Sequence, residues 1–501
     1  MVIFAAQKSP NMAQTSSILS STYDVTAKFV ASIPKADRKK YGQFFTSEMT
    51  ARFMASLFNI DFSKDELRLL DAGAGTGLLT AALVEHLRNS GYTGRIHVTC
   101  YEKDVKVLPT LAQNLDLLKE SADVKYEICI DNYLTSQNFL ETDLYREERP
   151  QYDMIIGNPP YLKIPKDAVE AKALSEVCYG APNLYFLFWA MGIVNLKDDA
   201  ELVYIIPRSW TSGAYFERFR RFLFQHCVIT HIHIFGSRDK VFDGESVLQE
   251  TMIIKVRKTH DQPDTVKMSS SETSEFKDVC SYEVPYNTVV APNQYVFLVT
   301  SKEEADVLSR VNRQPSTLET DELKMRTGLI VDFRTREVLR DKAEKGTYPL
   351  FFSSHIKDGR VQWPLGRESE YILTDHAGYL QENADYLFIK RFTAKEERRR
   401  LQCGIYLTSE HPDFEYISTQ NKINYIKCDD PELAFGLYVL LNSTLYDTYY
   451  RILNGSTQVN STEINAMPVP SKEEIREMGR ELIGLELTEQ NCNQIVDRWI
   501  R

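Results

Sequence analysis

Residues 153–161 read Asp-Met-Ile-Ile-Gly-Asn-Pro-Pro-Tyr, an apolar run that stops at Asn158-Pro159-Pro160-Tyr161. Two prolines after the asparagine bar a helix and fix a rigid extended turn. Such a turn presents the Asn158 side-chain carbonyl and the Pro159 backbone carbonyl toward one point, with the flat face of Tyr161 beside them. This set suits an exocyclic amine on an aromatic base. The lone pair of that nitrogen is delocalised into the ring, so it is a poor nucleophile. Two acceptors on its N–H groups draw it toward tetrahedral geometry and free the lone pair for attack. An aromatic face then holds the planar base by stacking.

A second constellation lies upstream. Leu69-Leu70-Asp71-Ala72-Gly73-Ala74-Gly75-Thr76-Gly77 closes an apolar strand and opens a helix. Glycines there let the backbone turn tightly and approach a ligand without a Cβ in the way, as at a nucleotide site on the first strand of an α/β sheet. NAD, FAD and S-adenosylmethionine (SAM) sites all use such a loop. Glu102, 25 residues past Gly77, stands where an acid accepts from both ribose hydroxyls. By itself it reads as well as a solvated loop acid. Asp131, after a third apolar run, is placed to accept from an adenine amino group, although many strands end in Asp.

Groups at the ends of strands need a sheet to bring them together. Over residues 41–258 the apolar runs LRLLDAG, RIHVTCYE, KYEICID, YDMIIGNPP, ELVYIIP and HIHIFG alternate with helical stretches. That alternation predicts an α/β domain, a mostly parallel Rossmann-like sheet with helices on both faces. Residues 1–40 read as a polar, helical N-terminal extension, and residues 259–289 as a linker or long loop, polar and containing a Ser run. Residues 290–501 read as an irregular α+β domain rich in Tyr and Phe. It closes with the helical pattern PELAFGLYVLLNSTLYDTYYRIL, a MPVP turn and a charged terminal helix.

Composition sets the bounds. The chain has 501 residues, 43% hydrophobic and 26% charged, which excludes disorder over most of its length. No apolar run is long enough to cross a membrane, and MVIFAAQKSP lacks the regions of a signal peptide, so the cytoplasm is expected. Residues 1–260 hold 30 Lys+Arg against 31 Asp+Glu, and residues 261–501 hold 29 against 39. Such a chain binds nucleic acid only through a local basic face. The densest basic run after the linker is Lys390 to Arg400, which reads equally as a solvated face. Eight cysteines with no CxxC spacing predict free, mostly buried thiols and no metal site. His231 and His233 alternate within an IxHxI pattern and read as packed strand histidines.

DAGAGTG, an acid after the second strand, and NPPY together resemble the SAM-dependent amino-methyltransferases. Lys40-Tyr41-Gly42-Gln43-Phe44-Phe45-Thr46 is similar to the N-terminal SAM-contacting motif of the gamma-class N6-adenine DNA methyltransferases of type II restriction–modification systems, apart from Ser47 where the family usually has Pro. The order also agrees: this motif, the glycine loop, NPPY, then a C-terminal target-recognition domain. Asn183-Leu184-Tyr185-Phe186, Ile205 to Trp210, and Lys240-Val241-Phe242-Asp243-Gly244 extend the resemblance, and residues 436–470 are similar to the end of recognition domains in these systems. Within the family the chain most resembles the PstI/BsuBI type of modification methylase, which implies the target CTGCAG.

The resemblance implies roles. Thr46 would contact the amino-acid end of SAM, with Asp71, Gly73 and Gly75 shaping the methionine pocket. Glu102 would bind the ribose and Asp131 the adenine amine of SAM. Asn158, Pro159, Pro160 and Tyr161 would hold the target adenine, and Phe242 would stack on it. The partner would be double-stranded DNA, the enzyme a monomer near the nucleoid, and a cognate restriction endonuclease would share its site. Three other readings compete. An NPPY enzyme acting on RNA or on a protein glutamine generally ends soon after its catalytic domain. A silent specificity subunit would not need intact Asn158, Pro159 and Tyr161. A dinucleotide oxidoreductase leaves NPPY unexplained.

Overall fold

The computed structural model describes residues 17–33, 46–137, 150–236, 251–394, 397–453 and 457–501. The chain forms two compact units, one of residues 1–208 with 218–283, the other of 209–217 with 284–501.

Unit 1 is built on a sheet of nine described strands. They are β1 (Glu66–Ala72), β2 (Arg95–Tyr101), β3 (Val124–Cys129), β4 (Tyr152–Gly157), β5 (Leu196–Pro207), β6 (Val228–Phe235), β7 (Thr251–Arg257), β8 (Thr265–Ser271) and β9 (Cys280–Pro285). Their order is β3-β2-β1-β4-β5-β7-β6-β8-β9. The pairs β1–β2, β2–β3, β1–β4, β4–β5 and β6–β8 are parallel, and β7 runs antiparallel between β5 and β6. The expected mostly parallel α/β sheet is therefore present. Chain order reverses between β1 and β4, and the crevice beyond the carboxyl ends of strands at such a switch point is where open α/β sheets bind ligands. The glycine loop leaves β1 and Asn158 leaves β4, so the topology brings the two chemical clusters to one crevice.

Three helices brace the first half of the sheet. They are α1 (Ile18–Ser32), α2 (Glu48–Ser56) and α3 (Leu78–Asn89). Glu85 of α3 is buried and ties all three together. Its carboxylate accepts from the Leu19 backbone N–H of α1 at 2.9 Å and from Arg52 of α2 at 2.6 Å. Such charge-assisted bonds are the stronger kind. Then come α4 (Leu108–Ala122) and α5 (Leu184–Asn195). The sequence of α5, LYFLFWAMGIVN, has no polar face before its last residue, and all its residues but Phe188 are buried. A helix apolar all round belongs in a core.

The stretch read from sequence as a linker is corrected here. Residues 265–271 and 280–285 are β8 and β9, and they extend the sheet beyond β6. The Ser run misled because two of its three hydroxyls face histidines, not water. Ser269 Oγ lies 2.8 Å from His231 Nε2 and 2.9 Å from His233 Nδ1, and Ser271 Oγ lies 3.0 Å from His233 Nε2. Both serines are buried. Burial pushes His231 down to about 3 and His233 down to about 4, so both rings are neutral at pH 7. These are the packed strand histidines that the IxHxI pattern predicted. Among the described residues no cluster of His, Cys, Asp or Glu is suited to a metal, and no helix is long and apolar enough to cross a membrane.

Unit 2 contains a six-stranded sheet. Its strands are β10 (Arg326–Thr327), β11 (Ile356–Lys357), β12 (Arg360–Val361), β13 (Asp385–Lys390), β14 (Cys403–Tyr406) and β15 (Ile423–Cys428), in the order β10-β15-β13-β14-β12-β11. The Tyr and Phe richness of this region is its core, where Phe351, Phe388 and Tyr406 interlock with ring centroids 5.2–5.6 Å apart. The apolar C-terminal pattern is two helices, α6 (Pro431–Leu441) and α7 (Thr444–Leu453), broken at Asn442-Ser443. The charged terminal stretch is likewise two helices, α8 (Lys472–Leu482) and α9 (Glu489–Trp499). Helices α6 and α8 meet at Gly436 and Gly479. A Cβ on Gly479 would lie 1.8 Å from the Glu432 carbonyl oxygen, so only glycine allows that approach.

Candidate active site

A cavity of about 550 Å³ opens at the switch point of unit 1. Gly73, Gly75, Glu102, Asp131, Thr46, Asn158 and Pro160 all line it, so residues from five separate places in the sequence converge. Gly73 and Gly75 have φ of +75° and +55°, the left-handed region that glycine alone adopts cheaply. A Cβ on Gly75 would meet no heavy atom within 4 Å. At Gly75 the loop is thus bare toward open space, whereas a Cβ on Gly77 would lie 2.9 Å from Leu111.

Glu102 holds this loop in place. One carboxylate oxygen accepts from the Gly75 N–H at 2.9 Å and the other from the Asp104 N–H at 2.8 Å. It is therefore fixed at the cavity wall, not a solvated surface acid. Burial raises its pKa, which those backbone donors partly offset. Asp131 is exposed at the mouth of the cavity.

At the end of β4, Asn158 Nδ2 donates to Thr46 Oγ1 at 3.2 Å. This bond turns the amide so that its carbonyl oxygen faces away from Thr46. Pro159 is buried. The Tyr161 hydroxyl donates to the Ile205 carbonyl of β5 at 3.0 Å, and its ring stands edge-on to Tyr185 at 6.3 Å. The tyrosine is thus anchored at both ends, although it does not line the cavity itself.

Asp71 departs from its expected place. It lies behind the glycine loop, fully buried, and is not part of the cavity wall. Its Oδ2 accepts from Thr80 at 2.8 Å, while its Oδ1 has no hydrogen-bond partner among the described residues. Burial pushes its pKa up to about 7. Phe242 and residues 40–45 lie outside the described residues.

Sequence reasoning missed several wall residues. Val105 is 74% exposed at the rim, three residues past Glu102. Phe188 is the one α5 residue left unburied, and it faces the cavity. Thr26 of α1 reaches the wall and bonds Thr76 of the glycine loop, hydroxyl to hydroxyl at 2.8 Å. Val105 carries a faint signal, an apolar residue in a charged run. Thr26, in a polar helix, carries none.

The chain is 34% identical to the type II methyltransferase M.PstI of Providencia stuartii, over 92% of this chain and 93% of that one. It is 34% identical to the type II methyltransferase M.BsuBI of Bacillus subtilis, over 89% of this chain and 91% of that one. The chain belongs to the type II modification methyltransferases. Residues 59–242 match the family of the Eco57I restriction-modification methylase. The fold is shared with the Type IIL restriction-modification enzyme MmeI, solved in complex with DNA. The TM-score is 0.50 at 12% identity, covering 96% of this chain and 73% of MmeI. As a type II modification methyltransferase the protein methylates DNA within a restriction–modification system, and its resemblance to the PstI/BsuBI type holds over nearly the whole chain.

Proposed function

We propose that the protein methylates N6 of adenine in double-stranded DNA, with SAM as methyl donor. The observation that carries this reading is the convergence of Asn158 with the glycine loop and Glu102 on one cavity. The donor set fits SAM. Glu102 is held where it can take ribose hydroxyls, Asp131 stands exposed on the same wall where an adenine amine can reach it, and Thr46, Gly73 and Gly75 border the amino-acid end, with Gly75 leaving room that a Cβ would fill. SAM supplies a methyl on a sulfonium, already a strong electrophile. The chain therefore has to align and desolvate more than to exchange protons.

The Asn158 amide carbonyl and the Pro159 backbone carbonyl accept from the two N–H groups of the target amine and localise its lone pair. Tyr161 offers a ring to the base, and Phe242 a second. The target atom is out of reach inside a duplex, so the adenine is extruded at a cost of a few kcal/mol. The enzyme acts as a cytoplasmic monomer on chromosomal DNA and shields it from a cognate nuclease. CTGCAG is the word to test first.

The test is transfer of labelled methyl from SAM to duplexes carrying CTGCAG or other words, followed by mass spectrometry of the nucleosides. N6-methyladenine is expected. N4-methylcytosine, or label on RNA or protein in its place, would overturn the reading.

A further inference from the structure

Residues 261–501 carry more acid than base, with 29 Lys+Arg against 39 Asp+Glu, yet the six-stranded sheet of unit 2 ends in a rim of the opposite sign. Three segments meet there. The turn 420–422 leads into β15. On one side it is joined to the segment after β10, where the Asn421 N–H donates to the Ile330 carbonyl at 2.8 Å. On the other side it is joined to the segment after β13, where the Arg391 N–H donates to the Lys422 carbonyl at 2.9 Å and Arg391 Nη1 to the Asn421 carbonyl at 3.1 Å. Segments 328–337, 390–393 and 420–422 together hold the cations Arg334, Arg336, Lys390, Arg391 and Lys422 against the two carboxylates Asp332 and Glu337.

Two aromatic rings stand out from the same rim. Phe333 is 65% exposed with the Arg334 guanidinium 5.3 Å from its ring centre, and Phe392 is 46% exposed with Arg391 at 5.6 Å. Exposed rings interleaved with cations are the combination that stacks on bases while neutralising the backbone of a nucleic acid. Elsewhere in the basic run the described arginines are engaged within the unit, Arg398 with Glu489 at 2.6 Å. Arg400 is buried, and Arg399 donates to the Leu441 and Ser443 carbonyls beyond α6.

We propose that this rim is where unit 2 grips the DNA duplex, with Arg334, Arg336 and Lys422 on phosphates and Phe333 and Phe392 against sugars and base edges. Arg and Lys side chains neutralise phosphates, and a local basic face on an acidic unit confines the duplex to that face. Apolar rings beside the cations match proteins that press side chains onto or between base steps. The inference rests on the DNA-methylating reading above and adds the surface that holds the substrate.

The test uses the full chain with Arg334, Arg336 and Lys422 all changed to Ala, and separately with Phe333→Ala and Phe392→Ala together. Binding of a fluorescent duplex containing CTGCAG, and of a scrambled duplex, is followed by anisotropy as salt is raised. Each lost phosphate contact should lower the salt slope by about 0.9, so the triple variant should lose roughly 2–3 in slope and bind about 10–100-fold more weakly. The double Phe variant should bind about tenfold more weakly with its slope kept. Thermal melting and SAM affinity should match the wild type in both. A folded triple variant with wild-type slope and affinity overturns the rim, as does an RNA duplex of the same sequence competing as well as DNA. If the wild type methylates DNA while the triple variant does so unchanged, only the rim falls. A wild type that neither binds nor methylates any duplex overturns the functional reading as well.

Discussion

The proposed chemistry needs the Asn158 amide turned with its oxygen toward the base, and the bond to Thr46, 112 positions earlier, holds it turned. Asn158→Ala removes one of two acceptors from a nitrogen that gains positive charge, so kcat should fall ~10²–10³-fold. SAM affinity by calorimetry should hardly change, and a near wild-type rate would exclude Asn158 from the chemistry. Thr46→Val deletes the orienting acceptor, a bond worth ~1 kcal/mol, and should cost about fivefold in kcat, with Thr46→Ser recovering most of it. Asp71 offers a pH signature. Burial holds its carboxyl at about 7 rather than 3.8. Its folded value lies above its unfolded one, so its stabilising proton is fully in place below about pH 4 and is lost as pH rises through 7. Between pH 5 and 8 this side chain should cost the protein roughly 2–3 kcal/mol at ~1.36 kcal/mol per unit. Denaturation of Asp71→Asn should show that slope removed, and an identical slope in both proteins would mean that Asp71 is ionised in the fold. The residues of the site were legible where chemistry narrows the choice, at Asn158, Glu102 and the glycines. Thr26 and Phe188 were not, because a hydroxyl on a helix or a Phe in an apolar helix has no pattern that distinguishes wall from core.

Strands β1 to β6 were legible because each is an apolar run closed by turn residues. Strand β8 was hidden because its polarity is turned inward onto His231 and His233. That explanation is testable by thermal unfolding. Ser269→Ala leaves two buried ring nitrogens short of a partner and should cost ~1–3 kcal/mol. Ser270→Ala, half-buried on the other side of the same strand, should cost little. Equal effects at the two positions would mean that β8 is held by its backbone alone. Both histidines sit below their ordinary value, so the stability they lend is present above about pH 6.5 and drains away as pH falls toward 4.

The two units set how the whole molecule should come apart. A fragment ending at residue 258 strips β8 and β9 from the sheet, bares the edge of β6 and leaves two buried histidines without their serines. It should precipitate. A fragment ending at residue 283, with 209–217 replaced by a short Gly/Ser linker, should stay soluble and bind SAM near normally by calorimetry. It should protect no DNA word from nuclease digestion, since the proposed recognition surface is gone. If the shorter fragment proves as soluble and as competent for SAM as the longer, the sheet does not depend on its last two strands. The outline of the C-terminal half, irregular α+β, was readable from composition. Its sheets were not, because several of its strands are only two or three residues long and pair with distant segments.

Residues 209–217 belong to unit 2 although unit 1 surrounds them in sequence. The Thr211 carbonyl accepts from the Val296 N–H at 2.8 Å, and Ser212 Oγ donates to Glu463 at 3.4 Å. A gene that exchanged its C-terminal half with a relative by one crossover near codon 283 would keep the old nonapeptide inside a foreign partner. Chimaeras of this family should therefore tolerate the exchange only when both pieces travel together. New specificities built by recombination would then be rarer than those built by point changes on the surface that meets DNA.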